Sequence, residues 1–137
     1  MDGITGVHHF GLTVTDLDRS TGWYERVLGF EVVRQVEVAG VSFATLRSST
    51  ETLFLTLYSH PANQRERFEE TRTGLDHLSF GVASRAELKR WAAHLTDQGV
   101  EHSPVAEDPF GAVLVFRDPD NIQLELVAPA PDGDHPT

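Results

Sequence analysis

No cysteine occurs among the 137 residues, which excludes disulfides, thiolate nucleophiles and cysteine metal ligands together. Basic charge is scarce as well. Lys89 is the single lysine, and Lys plus Arg number 11 against 21 Asp plus Glu, a formal net charge of −10. A chain so acidic repels phosphate backbones and anionic lipid, so neither nucleic acid nor a membrane is an expected partner. No apolar run approaches the roughly 20 residues that cross a bilayer. The opening residues lack the basic-then-apolar order of a secretory signal, and a cytoplasmic location is expected. What remains for metal chemistry is carboxylate and imidazole, the latter from seven histidines.

A chain of this length buries on the order of two thirds of its unfolded surface, enough for one domain with a usable core. Within that domain the sequence is written twice. "TGVHHFGLTV" near the start returns as "TGLDHLSFGV", and a shift of 68 places His9 on His77, Val14 on Val82 and Trp23 on Trp91. Gly29-Phe30-Glu31 then meets Gly99-Val100-Glu101 at a shift of 70, which is loop variation after each helix. Module one is expected over 4–58, a polar linker over 59–74, module two over 75–128, and a flexible Pro- and Gly-rich tail over 129–137.

Each module predicts strand, helix, then strands. "HFGLTV" alternates like a strand, and Trp23, Tyr24, Val27 and Leu28 fall on one helical face closed by Gly29. "FEVVRQVEV", "VSFATLRS" and "TLFLTLYS" follow as strands. In the second module Ser84 and Glu87 have capping-box spacing ahead of Leu88, Trp91, Ala92 and Leu95, and Gly99 closes the helix. Trp23 and Trp91 are expected to be core packing. "VEHSPV", "AVLVFR" and "IQLELV" supply the remaining strands, the last two joined by the turn residues Asp118-Pro119-Asp120-Asn121.

Strand alternation then sorts the side chains. Phe10, Leu12 and Val14 cover the first helix while His9, Gly11 and Thr13 face away; Leu78, Phe80 and Val82 likewise oppose His77, Ser79 and Gly81. In the last strand Ile122, Leu124 and Leu126 are the apolar set, leaving Gln123, Glu125 and Val127 on the histidine face. Its counterpart turns Phe54, Thr56 and Tyr58 the same way. A carboxylate between two leucines costs several kcal/mol unless it is paired or bound to a cation. Two imidazoles and one carboxylate, His9, His77 and Glu125, can hold one face of an octahedral divalent metal and leave positions open, with Gly11, Thr13, Thr56, Ser79 and Gln123 lining the cavity. The ligand types suit Fe(II), Mn(II), Co(II), Ni(II) or Zn(II) alike.

The stretches "HHFGLTVTDLDRSTGWYERVLGF", "GLDHLSFGV" and "FRDPDNIQLELV" resemble the vicinal oxygen chelate superfamily of glyoxalase I, fosfomycin-modifying transferases, bleomycin-resistance proteins and extradiol dioxygenases. The resemblance spans residues 4 to 128. It implies an α+β fold, two βαβββ modules forming a curled mixed sheet around a central metal cup, with ligands from the first and last strand of each module. Carried onto this chain, those positions are His9, Thr56, His77 and Glu125. Thr56 stands where glyoxalase I has a second carboxylate, which weakens the isomerase reading, and a single lysine weakens the phosphonate reading. A His, His, Glu set resembles both the extradiol dioxygenases and the fosfomycin enzymes; with the phosphonate reading weakened, the expected function is an oxygenase holding Fe(II) and a small substrate with two adjacent oxygens. Tyr58, His60 and His102 are the candidate acid–base residues. A metal-free protein that sequesters a drug or metabolite, or a transferase or lyase of the fosfomycin-resistance or glyoxalase I type, is the alternative. Exposed sheet edges favour pairing, and a homodimer is expected.

Overall fold

The computed structural model describes residues 1, 3–109 and 111–131. The chain divides into two compact units, Met1–Glu66 and Arg67–Thr137, and the division falls inside the polar segment expected to link two modules.

In the first unit, strand β1 (Phe10–Thr13) leads to helix α1 (Leu17–Leu28) and then to β2 (Glu31–Val38), β3 (Val41–Arg47) and β4 (Phe54–Ser59). The sheet order is β1-β4-β3-β2, with β1 parallel to β4 and the other pairs antiparallel. Helix α1 begins where the Asp16 carboxylate accepts the backbone N–H of Arg19 at 2.9 Å, satisfying a donor the first turn would otherwise leave free. It ends at Gly29, whose φ of 70° suits a residue without a Cβ and lets the chain turn out of the helix. The face between those caps carries Trp23, Tyr24 and Val27, all buried against the sheet's Ala44, Leu46, Leu55 and Leu57.

The second unit repeats the order: β5 (His77–Gly81), α2 (Arg85–Asp97), β6 (Ala106–Asp108), β7 (Gly111–Arg117) and β8 (Gln123–Pro129), arranged β5-β8-β7-β6 with β5 parallel to β8. Ser84 Oγ accepts the N–H of Glu87 at 3.2 Å, one half of a capping box, while the Glu87 carboxylate pairs with Arg90. Leu88 and Leu95 are fully buried against Leu114, Phe116, Leu124 and Leu126. Each such leucine contributes about 1.5–3 kcal/mol through the apolar area it removes from water. The α+β class and the βαβββ repeat are thus both present, as two four-stranded mixed sheets, neither closed on itself.

Three expectations are corrected. Trp91 is half-buried, its ring edge-on to His94, and is not a core residue like Trp23. "VEHSPV" forms no strand. His102 makes one isolated bridge to Phe116, the Ser103 backbone and hydroxyl bond to Val115, and Pro104, without an N–H, interrupts the ladder before the short β6. Strand β8 also runs to Pro129, one residue into the expected tail, of which residues 132–137 lie outside the described residues. Among the described residues no helix is long and apolar enough to cross a membrane.

Candidate functional site

Alternation in β8 buries Leu124, Leu126 and Ala128 under α2 and leaves Gln123, Glu125 and Val127 half-buried on the opposite face. Register does the rest. The parallel pairing of β5 with β8 sets Ser79 beside Glu125 and His77 beside Gln123. Ser79 Oγ donates to Glu125 Oε2 at 2.7 Å and Gln123 Nε2 donates to Oε1 at 3.1 Å, so each carboxylate oxygen has a partner. The carboxylate predicted from sequence to need compensation receives it here from two neutral donors.

His77 completes the cluster. Its Nδ1 lies 2.7 Å from the Asp76 carboxylate, and its Nε2 faces Glu125 Oε2 at 3.7 Å. The Asp76 hydrogen bond raises the imidazole pKa above its ordinary value; desolvation opposes this, and the nearby charges of Glu125 and Asp76 add to it. An Asp76 carboxylate on Nδ1–H selects the tautomer whose Nε2 lone pair points at Glu125. A separation of 3.7 Å is too long for a hydrogen bond between Nε2 and Oε2. Two donors each about 2.1 Å from one cation stand about 3.0 Å apart at a right angle and about 4.2 Å apart when opposed. The His77–Glu125 spacing lies between those limits, so this pair fits two ligands of a single divalent ion. Within either unit, no three described His, Asp or Glu side chains gather closely enough to hold a metal on their own.

The neighbouring strand braces Gln123. Arg117, opposite Gln123 in the β7–β8 register, donates to its Oε1 at 3.0 Å and also bonds both oxygens of Glu70, at 2.6 and 3.2 Å. That ion pair holds the Glu70 carboxyl down to about 2.

The first unit has the same scaffold with different chemistry. Gly11 lies beside Thr56 in the β1–β4 register, and Thr56 Oγ1 is 3.4 Å from Thr45 Oγ1. Tyr58, paired with Thr13, lays its ring over Gly11, where an added Cβ would come 3.3 Å from it. Phe43 tilts against Tyr58 and His60 stacks on it at 5.8 Å, giving this face an aromatic row. His9 precedes β1, is exposed, and meets His8 through their Nδ1 atoms at 2.8 Å.

The structure therefore brings together His77, Ser79, Gln123 and Glu125 in one unit, and Gly11, Thr56, Tyr58 and His60 in the other. His102 does not join the former group, because its ring nitrogens meet Thr96 Oγ1 and the Ser103 carbonyl beside the end of α2. Sequence reasoning missed Asp76, Arg117 and Glu70. Arg117 carried a signal, a lone cation ending the apolar run "AVLVFR" on the face shared with Val113 and Val115.

The model of the Glyoxalase/Bleomycin resistance protein/Dioxygenase superfamily matches residues 6–126. A crystal structure of a glyoxylase/bleomycin resistance protein/dioxygenase domain from Frankia sp. EAN1pec superposes with a TM-score of 0.86 at 38% identity, covering 93% of this chain and 99% of that one. The uncharacterized protein YqjT of Bacillus subtilis is 30% identical over 132 residues, 90% of this chain and 99% of its own. Biphenyl-2,3-diol 1,2-dioxygenase 3 of Rhodococcus globerulus is 27% identical over 118 residues, 86% of this chain but 60% of that enzyme's length.

Proposed function

Because the chain belongs to the Glyoxalase/Bleomycin resistance protein/Dioxygenase superfamily, we propose that it is a small metalloenzyme of extradiol-oxygenase type, with one divalent metal held by His9, His77 and Glu125. The observation that carries this reading is the His77–Glu125 pair, Nε2 and Oε2 facing each other at 3.7 Å, each braced from behind. His9, the repeat counterpart of His77, is the third ligand in the proposal. The chain's likeness to a biphenyl-2,3-diol dioxygenase supports oxygenase chemistry, and of the metals that suit this ligand set Fe(II) is the one proposed.

The metal, when bound, supplies a template for two adjacent substrate oxygens and an electron route to dioxygen. The chain's own residues do the rest. Asp76 keeps the His77 Nε2 lone pair available, Ser79 and Gln123 hold the Glu125 carboxylate in one plane, and Gly11, having no Cβ, lets the Tyr58 ring lie close over β1. The aromatic row of Phe43, Tyr58 and His60 suits a flat ring, which prefers offset or edge contacts with other rings. The Tyr58 phenol and the His60 imidazole are the groups proposed to move protons.

Elemental analysis of tag-free protein purified without oxygen, beside His77→Ala, tests the reading. One equivalent of iron lost in the variant, with catechol-dependent oxygen uptake, supports it. Manganese, nickel, cobalt or zinc redirects it toward transferase or lyase chemistry. The same aromatic row favours a second reading, a metal-free protein that sequesters an aromatic compound; absence of metal after reconstitution, with ligand binding retained, selects that one. A homodimer is proposed on the exposed edges of both sheets, and light scattering showing only monomer removes it.

A further inference from the structure

Glu125 is reached from outside its own strand pair by a directed line of hydrogen bonds. Resting on the metal reading above, we infer that Gln123 is a positioning residue for Glu125, aimed by Arg117 and through it by Glu70, so that the segment at 67–70 sets the orientation of the ligating carboxylate.

The direction of this line is fixed by chemistry. A guanidinium has only donors, so the Gln123 atom 3.0 Å from Arg117 Nη2 must be its carbonyl oxygen. The amide nitrogen is then obliged to face the other way, toward Glu125 Oε1 at 3.1 Å, where it can only donate. The usual ambiguity of a glutamine amide is removed by its neighbour. Arg117 in turn cannot swing. Both of its terminal nitrogens bond Glu70, and Nη1 also donates to the Asn121 carbonyl at 3.0 Å. Glu70 belongs to a stretch pinned to the β7–β8 turn, where Phe68 N donates to the Asp120 carbonyl at 2.9 Å and Asn121 Nδ2 donates to the Phe68 carbonyl at 3.0 Å.

The consequence falls on one oxygen. With Oε1 taken by Gln123, the carboxylate cannot rotate about its last bond without losing a partner. Oε2, the oxygen nearest His77 Nε2, stays turned toward the imidazole. A ligand ordered in advance costs less to bind than one ordered at binding, and removing such outer partners weakens metal affinity by roughly 10–100-fold in metalloproteins.

The experiment measures Co(II) affinity of the full chain by competition with a chelating dye, for the parent, Gln123→Ala, Glu70→Gln and the double variant, alongside metal-free melting curves. Gln123→Ala is expected to weaken Co(II) binding by roughly 10–100-fold with its metal-free fold intact. Glu70→Gln is expected to weaken it several-fold alone, and not at all in the Gln123→Ala background. Parent-like affinity in Gln123→Ala, or losses that multiply in the double variant, overturns the inference while leaving the metal reading in place. Gln123→Met, close in volume, replaces Gln123→Ala if the latter fails to fold. A parent that takes up no Co(II) overturns the metal reading instead, and the line itself is then judged in metal-free protein by the Gln123 side-chain amide resonances. Displaced resonances that relax toward free glutamine in Glu70→Gln uphold it; resonances already at the free position overturn it.

Discussion

Ser79 and Glu125 meet across the parallel β5–β8 pair, hydroxyl to carboxylate at 2.7 Å, two strands whose partnership is separated by 46 residues of chain. A hydrogen bond to a half-buried carboxylate is a charge-assisted one. Ser79→Ala is expected to destabilise the protein by about 1.5 kcal/mol in urea titrations. A change within the range of ordinary surface substitutions, about 0.5 kcal/mol or less, would mean that Glu125 is adequately solvated without it.

Glycine positions give opposite predictions in the two units. At Gly111 φ is 139°, and an added Cβ would come 2.0 Å from the Ala128 carbonyl oxygen, a backbone atom that cannot step aside. Gly111→Ala is expected to cost at least about 2 kcal/mol. Gly22 lies within α1 with nothing within 4 Å of where a Cβ would stand. Gly22→Ala is therefore expected to stabilise by about 0.5–1 kcal/mol, through lower unfolded-state entropy and better helix propensity. Thermal melts of the two variants should move in opposite directions.

The half-burial of Trp91 separates it from its repeat counterpart. Trp23 is 8% exposed on the core face of α1, and Trp23→Ala is expected to cost about 3–5 kcal/mol. Trp91→Ala, which empties a site already open to water, should cost about half as much or less. Equal losses in denaturant would place Trp91 in the core after all.

Acid should act on the Glu70–Arg117 pair late. Glu70 is depressed from an ordinary 4.5 to about 2 by the Arg117 hydrogen bonds, so its contribution to stability is complete above pH 4.5 and is lost as pH falls from there through about 2. Glu70→Gln should flatten the stability curve in that window and leave the neutral-to-basic limb parallel to the parent's. An unchanged acid limb would show the pair to be inconsequential for folding.

Much of this was legible in the chain because it is periodic. The repeat placed both helices and every long strand; Ser84 marked the start of the second helix; the two-residue alternation of Leu124, Glu125 and Leu126 put the carboxylate on the face opposite the helix. The losses have physical reasons. "VEHSPV" has the apolar ends of a strand, but Pro104 denies the ladder a donor. Trp91 has helical spacing, yet spacing says nothing of how wide a face the sheet covers. Glu70 and Arg117 are 47 residues apart, and an ion pair between a polar stretch and a strand end leaves no pattern for a sequence to display. His9 was expected inside a strand and precedes it, for β1 begins at Phe10.

The strand pairings also have a consequence for synthesis. All four strands of the first sheet lie within residues 10–59, and the second sheet begins at His77. A ribosome adding about 5–20 residues per second therefore completes every strand of the first sheet before any strand of the second is made. The strands of the first sheet thus find their hydrogen-bonding partners among one another, without waiting for the second half of the chain.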